Sequence, residues 1–231
     1  MSDQRRMISD IEREVVYTRH MIGRSALSES VMNAIRLVPR EAFVPEEERR
    51  FAYHNGPLPI GCGQTISQPY IVALMTDLLE VDGDDTVLEI GTGSGYQAAV
   101  LSRVVKQVYT LEIIEALAVR AATTLESLDY RNISCRCADG YNGWPEHAPY
   151  DAIMVTAAAV EIPPPLIEQL RPGGRLVIPL GRPFDYQNLL LVEKSRTGKV
   201  SEKTILGVAF VPLTRGDGAG GTWHGDRSDS G

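Results

Sequence analysis

The first chemical signal in the chain is a run of three glycines at alternate positions, Gly91-Thr92-Gly93-Ser94-Gly95, between a short apolar stretch and an amphipathic one. Glycine accepts φ > 0 and leaves no Cβ between the main chain and a ligand. The spacing is G-x-G-x-G, not the G-x-G-x-x-G that shapes a pyrophosphate turn. Glu89 stands two residues before the first glycine. A carboxylate facing this loop favours a cationic ligand, directly or through water, and repels a pyrophosphate. The next apolar stretch ends in Leu111-Glu112, where an acid can accept both hydroxyls of a ribose. The one after that ends in Asp139-Gly140, where an acid can accept an adenine amino group and a glycine can admit the ring. Any one of these acids alone could be a solvated loop residue or a helix cap. Together they describe a nucleoside ligand that carries positive charge. S-adenosylmethionine, with its ammonium and sulfonium groups, fits that description, and S-adenosylhomocysteine would be the product. The cofactor residues read from the sequence are therefore Glu89, Gly91, Thr92, Gly93, Ser94, Gly95, Glu112, Asp139 and Gly140.

The methyl acceptor is narrowed by the segment at the end of the fourth apolar strand, Met154-Val-Thr-Ala-Ala-Ala159. Enzymes that methylate exocyclic base amines resemble one another in a D/N-P-P-aromatic segment at this place, and the chain lacks it. No plausible exposed cysteine nucleophile is apparent for carbon methylation. Without a base, the acceptor has to be ionised already. A carboxylate, with a pKa of about 4, meets that condition at neutral pH. Alignment and desolvation of the attacking oxygen would then carry the catalysis.

These residues need a scaffold that brings strand ends together. From residue 85 onward apolar β-rich runs alternate with amphipathic ones. Strands are expected at Thr86–Ile90, Gln107–Leu111, Ile133–Cys137, Asp151–Thr156 and Arg175–Pro179, with helices at Tyr96–Val105, Ile114–Leu128 and Pro164–Leu170. Leu189–Glu193 and Ile205–Val211 read as antiparallel strands closing the edge, joined through a polar turn region from Lys194 to Lys203. The fold class is α/β, a Rossmann-like class I methyltransferase fold. Its central, mostly parallel sheet has seven strands, helices on both faces and an N-terminal helical extension. That extension, 1–80, contains a helix running to about Ile22, a second at Ser28–Val38, a helix start at Pro45, a Gly/Pro-rich connector from Gly56 to Gly63 and a helix at Pro69–Leu79. Residues 81–215 form the cofactor-binding core and one structural domain with 1–80. The Gly/Asp/Ser-rich tail, 216–231, is expected to be disordered.

Composition limits the partners. Hydrophobic residues make up 43% of the chain, enough for a real core, and the net charge of −7 disfavours a phosphate-backbone partner. Cys62, Cys135 and Cys137 form no C-x-x-C pair, and His20, His54, His147 and His224 lack metal-ligand spacing, so no metal is expected. No run approaches the ~20 apolar residues of a membrane span, and no signal peptide is apparent. The expectation is a cytoplasmic monomer that engages neither nucleic acid nor membrane.

Several longer matches run from Met21 to Thr214. They include Met21-Ile-Gly-Arg24, Val38-Pro-Arg-Glu41, Phe43-Val-Pro45, Pro57-Leu-Pro-Ile-Gly61 and Gly63-Gln-Thr-Ile-Ser-Gln-Pro-Tyr70. Leu88 to Tyr96, Asp139-Gly-Tyr141, Gly143-Trp144, Pro149 to Ala158, Gly173-Gly-Arg175 and Phe210-Val-Pro-Leu213 continue them. In these segments the chain resembles the protein-L-isoaspartate (D-aspartate) O-methyltransferases. Gln64 to Pro69 is the most particular to that family. The resemblance implies methyl transfer from S-adenosylmethionine to the α-carboxylate of L-isoaspartyl residues in damaged proteins and peptides, with D-aspartyl residues as a candidate second acceptor. The ester then collapses to a succinimide. The resemblance places the active-site serine at Ser67 and cofactor contacts at Gln64, Thr65, Ile66, Ser67, Glu112, Asp139, Gly140 and Thr214. Ser67 and Thr65 are also candidate caps for the Pro69 helix. Cys62, Asn55 and Val160 depart from residues frequent in the family. Alternatives are a carboxyl methyltransferase of the same fold acting on another peptide or small acid, and a cofactor-binding module without activity. An RNA methyltransferase is disfavoured by the acidic charge.

Overall fold

The computed structural model describes residues 3–182 and 185–216. The N-terminal segment is helical because its apolar residues recur every three or four positions. Helix α1 (Asp3–Ile22) buries Met7, Ile11, Val15, Thr18 and Ile22 along one stripe. Helix α2 (Glu29–Leu37) follows, and Ser28 at its start donates its amide to Asp77 Oδ1 at 2.7 Å. The expected helix start at Pro45 is a 3-10 turn, Glu46–Phe51, preceded by another at Arg40–Phe43. The connector contains a short antiparallel hairpin, β1 (Leu58–Gly61) and β2 (Gln64–Ile66). Helix α3 (Pro69–Leu78) leads into the sheet.

The core then alternates as expected: β3 (Thr86–Ile90), α4 (Tyr96–Ser102), β4 (Gln107–Glu112), α5 (Glu115–Ser127), β5 (Ile133–Cys137), β6 (Tyr150–Val155), α6 (Pro164–Gln169) and β7 (Leu170–Leu180). Strands β8 (Gln187–Lys194) and β9 (Val200–Val208) finish the sheet. The seven strands lie in the order β5-β4-β3-β6-β7-β8-β9, with β7–β8 and β8–β9 antiparallel and the other neighbours parallel. Strand β3 therefore has β4 on one side and β6 on the other, and the chain reverses its winding direction there. That is the switch point at which an open α/β sheet leaves a crevice beyond its carboxyl ends.

Alternation along the strands divides the interior into two layers. Val87, Val108, Ala152, Met154 and Val177 face the layer that holds α1 to α5. Leu88, Ile90, Ile153, Val155, Leu176 and Ile178 face the other, which is covered by α6 and by Trp144 and Tyr150. The expected disordered tail lies outside the described residues apart from Gly216, whose amide meets Asp139 Oδ2 at 3.2 Å. No helix among the described residues is long and apolar enough to cross a membrane.

Candidate active site

The glycine loop leaves β3 at the switch point and turns into α4. Gly91, Gly93 and Gly95 take φ of +97°, +55° and +89°, a region costly for any other residue. A Cβ on Gly91 would also collide with the Thr156 hydroxyl. Main-chain bonds pin the loop: the Gly91 and Thr92 amides donate to Leu111 O at 2.8 and 3.1 Å, and the Gly95 amide donates to Thr92 O at 2.8 Å. Thr156, just beyond β6, donates to Gly91 O at 2.6 Å.

A cavity opens over this loop. Its lining brings together Gln64, Thr65, Ile66 and Ser67 from the hairpin segment, Gly91, Thr92, Gly93 and Ser94 from the loop, and Glu112, Gly140 and Thr214. Glu112, on β4, is the sole charged side chain among the described lining residues and is 6% exposed. Its Oε2 accepts from the Gly93 amide at 2.8 Å and its Oε1 from the Ile114 amide at 2.9 Å. Each oxygen keeps a further lone pair for a hydroxyl donor. A positive-φ glycine cradle beside a partly satisfied carboxylate fits a ribose-bearing ligand with positive charge.

Three expected cofactor residues stand elsewhere. Glu89 does not face the cavity. It alternates with Leu88 and Ile90, so it points into the opposite layer and is fully buried. There Thr110, its partner in β4, donates to Glu89 Oε2 at 2.5 Å, and the Thr110 and Thr92 hydroxyls lie 2.6 Å apart. Burial raises the Glu89 pKa to about 8; the Thr110 bond opposes the shift and the Glu112 charge adds to it. Gly95 faces α5, where a Cβ would lie 3.3 Å from Leu125. Asp139 caps the turn after β5 through the Tyr141 amide at 2.9 Å, and its other oxygen takes Gly216. Gly140 does line the cavity, and a Cβ there would strike Ile90, another of its lining residues, so the position admits only glycine.

Ser67 lines this cavity and also a second one beside it, together with Thr65, Thr156 and Val211. Pro57, Gln68, Ile71, Tyr186, Gly207, Val208, Ala209 and Phe210 complete the second cavity. Neither Ser67 nor Thr65 caps α3. The cap position is Gln68, without a side-chain bond, while Asn55 Oδ1 accepts the Tyr70 amide at 3.1 Å from outside the helix.

Sequence reasoning missed two supports. Arg40, fully buried, donates from Nε to Ala52 O at 2.8 Å and from Nη2 to Ser67 O at 2.7 Å, and its guanidinium lies 4.8 Å from the Tyr96 ring centroid. Burial lowers its pKa to about 10. Gln187 pairs with the main chain of Phe210 in both directions, at 2.6 and 3.1 Å. That pairing holds the segment 210–214, which crosses both cavities. An arginine following a proline, and a glutamine opening an apolar strand, were the available signals.

A family model described as Protein-L-isoaspartate(D-aspartate) O-methyltransferase matches residues 13–218. A protein-L-isoaspartate O-methyltransferase 2 of Nitrosococcus oceani is 57% identical over 93% of this chain and 97% of that relative. One of Polaromonas sp. is 59% identical over 90% of this chain and 99% of that relative. A solved protein-L-isoaspartate O-methyltransferase superposes with a TM-score of 0.76 at 29% identity, covering 88% of this chain and 66% of that one. A Plasmodium falciparum structure of that description, in complex with S-adenosyl-L-homocysteine, shares the fold with a TM-score of 0.76 at 22% identity, over 94% and 100% of the two chains. The chain belongs to the protein-L-isoaspartate(D-aspartate) O-methyltransferase family.

Proposed function

We propose that the two cavities divide a single methyl transfer between them, the first for S-adenosylmethionine and the second for the isoaspartyl acceptor. The enzyme methylates the α-carboxylate of isoaspartyl residues in damaged proteins and so starts repair through a succinimide. The observation that carries the division is that Ser67 lies in the wall common to both cavities. The cofactor, when bound, supplies an electrophilic methyl group on its sulfonium.

Glu112 holds the ribose, the Gly91–Ser94 loop cradles the ligand, and Gln64 to Ile66 with Thr214 close over it. Ser67 donates its hydroxyl to the acceptor carboxylate and aims it without competing as a base. The carboxylate oxygen forms a bond to the methyl carbon as the sulfur–methyl bond breaks, with the electron pair going to sulfur. No proton moves, so the lack of a general base is no obstacle. Among its described residues the second cavity carries no charged side chain. The acceptor anion therefore loses water without gaining a counter-ion that would blunt its attack.

Asp139 and Glu89 act from behind the cavity, Asp139 by fixing the turn at Gly140 and Glu89 by anchoring the threonines under the loop. The reading also includes a cytoplasmic monomer, which three free cysteines suit, and no nucleic-acid partner, which the net charge suits. Residues 1–80 and 81–215 act as one structural domain, supported by a core layer shared between α1–α3 and the sheet.

The test offers labelled S-adenosylmethionine with a matched pair of peptides, one isoaspartyl and one aspartyl. Base-labile methyl ester should form on the isoaspartyl peptide alone. Equal labelling of both, or labelling of neither, would overturn the assignment.

A further inference from the structure

The second cavity has two ends. Thr65, Ser67, Thr156 and Val211 belong to the cofactor side as well, so they form its inner end. The residues found only in the second cavity extend outward from there, and most present carbon: Pro57, Ile71, Val208, Phe210 and the ring of Tyr186. Tyr186 is the large side chain among them that is open to water, an aromatic ring 72% exposed at the rim of the cavity. Its position is defined nonetheless. The ring rests on Gly207 of β9, where a Cβ would lie 2.9 Å from the Tyr186 hydroxyl oxygen and 3.3 Å from Cζ. Gly207 has no positive φ, and what a Cβ there would meet is the hydroxyl end of the Tyr186 ring, so a side chain at 207 would push the ring aside.

We propose that Tyr186, seated on Gly207, is a specificity-determining residue that packs against the side chain flanking the acceptor isoaspartate and selects uncharged neighbours over charged ones. The proposal rests on the isoaspartyl reading of the inner end. With the acceptor carboxylate at Ser67, an extended chain advancing about 3.3–3.6 Å per residue carries the adjoining residue toward the outer part of the cavity. A flanking Leu or aromatic side chain there covers the exposed ring and the Ile71 and Phe210 surfaces. A flanking Glu or Lys keeps its charged end in the water at the open rim and so covers less of the ring and of the Ile71 and Phe210 surfaces, a loss for either sign. The acceptor carboxylate already inside adds repulsion for Glu but not for Lys. Discrimination against both charges therefore separates an apolar wall from simple charge repulsion.

The experiment measures kcat/KM for isoaspartyl peptides that differ only at one flanking position, with Leu, Ser, Lys or Glu placed on each side in turn. On one side the Leu peptide should exceed both the Lys and Glu peptides by about tenfold. Tyr186→Ala should shrink that ratio to about threefold or less by slowing the Leu peptide, and Tyr186→Phe should preserve it. Gly207→Ala, which displaces the ring without removing it, should reproduce the Tyr186→Ala result. The KM for S-adenosylmethionine should stay unchanged in all three, since neither residue lines the first cavity. Equal rates for all flanks in the native enzyme, a ratio that survives Tyr186→Ala, or a ratio lost in Tyr186→Phe would each overturn the proposal. If no isoaspartyl peptide is labelled whatever its flanks, it is the isoaspartyl reading that fails.

Discussion

Single residues set the electrostatics of the site, and the two glutamates show how differently one side chain can be used. Glu112 lines the first cavity and stays hydrogen-bonded at both oxygens, whereas Glu89 is sealed beneath the loop with Oε1 unpartnered. Replacing Glu112 by Gln puts an NH2 group against the Gly93 or Ile114 amide, so one of those bonds is lost and the ribose contact with it. Cofactor affinity measured by calorimetry should fall by about tenfold or more, the effect of one lost charge-assisted bond. Glu89 makes the opposite prediction, about pH rather than affinity. Its folded pKa, about 8, lies above the ordinary 4.5, so between these values the folded protein keeps a proton that the unfolded chain releases. Its contribution to stability is complete below pH 4.5 and drains as the pH rises to about 8. Glu89→Gln removes the ionisation, so its Tm should surpass that of the native protein at pH 8 and converge with it near pH 5. Each kcal/mol recovered should appear as about 2–4 °C. Parallel Tm curves across this range would contradict a buried protonated Glu89. The acid was visible in the sequence, but its direction depends on strand phase, which a reading focused on the loop does not fix.

At the scale of elements, Arg40 organises the hairpin segment that carries Ser67. Its guanidinium bonds the carbonyls of Ala52 and Ser67, which are separated in sequence by the whole β1–β2 hairpin. Arg40→Met strands these carbonyls in a buried setting, at a cost on the order of 1–3 kcal/mol each. Denaturant unfolding should show that loss. In the surviving folded fraction, kcat should fall further than cofactor affinity, because Ser67 is released while the glycine loop keeps its own bonds. A loss confined to stability would reduce Arg40 to a core residue. The sequence marked Arg40 only as part of the Val38–Glu41 match, since its partners are carbonyls with no side-chain signature. The legible elements were those with a periodic apolar face and a marked end: β3 and β5 fell at their expected limits, and α3 within one residue. The hairpin was read as a connector because its strands are three and four residues long, too short for a pattern to repeat. Strand β9 begins at Val200, inside the expected polar turn, because an edge strand can expose successive residues: Ser201, Glu202, Lys203 and Thr204 are all at the surface. The glycine loop was legible because its backbone needs are written in residue type, whereas the Gln64–Ser67 segment was indicated by the family resemblance alone. Residues 210–213 of the crossing were visible only as a motif, with a cofactor contact implied at Thr214 alone.

The whole molecule joins the far edge of its sheet to the reaction through that crossing. Strands β8 and β9 lie three and four places from β3, yet the chain leaving β9 returns over the switch point and lines both cavities with Val211. It is fastened at two places. Gln187, at the start of β8, grips Phe210 by its side-chain amide, and Ala158, beyond β6, exchanges main-chain bonds with Val211 and Leu213 at 2.8 Å each. The antiparallel edge is therefore part of the site rather than a cap on the sheet. If the crossing acts as one piece, loosening it at Gln187 must disturb cofactor and acceptor together, although Gln187 touches neither cavity. Gln187→Leu retains the buried volume and removes both bonds to Phe210. It should raise KM for S-adenosylmethionine and for an isoaspartyl peptide by comparable factors, about three- to tenfold for two neutral hydrogen bonds weakened at a distance. Gln187→Glu should recover part of the loss, since a carboxylate still accepts the Phe210 amide but cannot donate to its carbonyl. A rise in only one KM would show that Val211 serves the two cavities independently. A matched rise would place the edge strands among the parts that hold the two substrates in register.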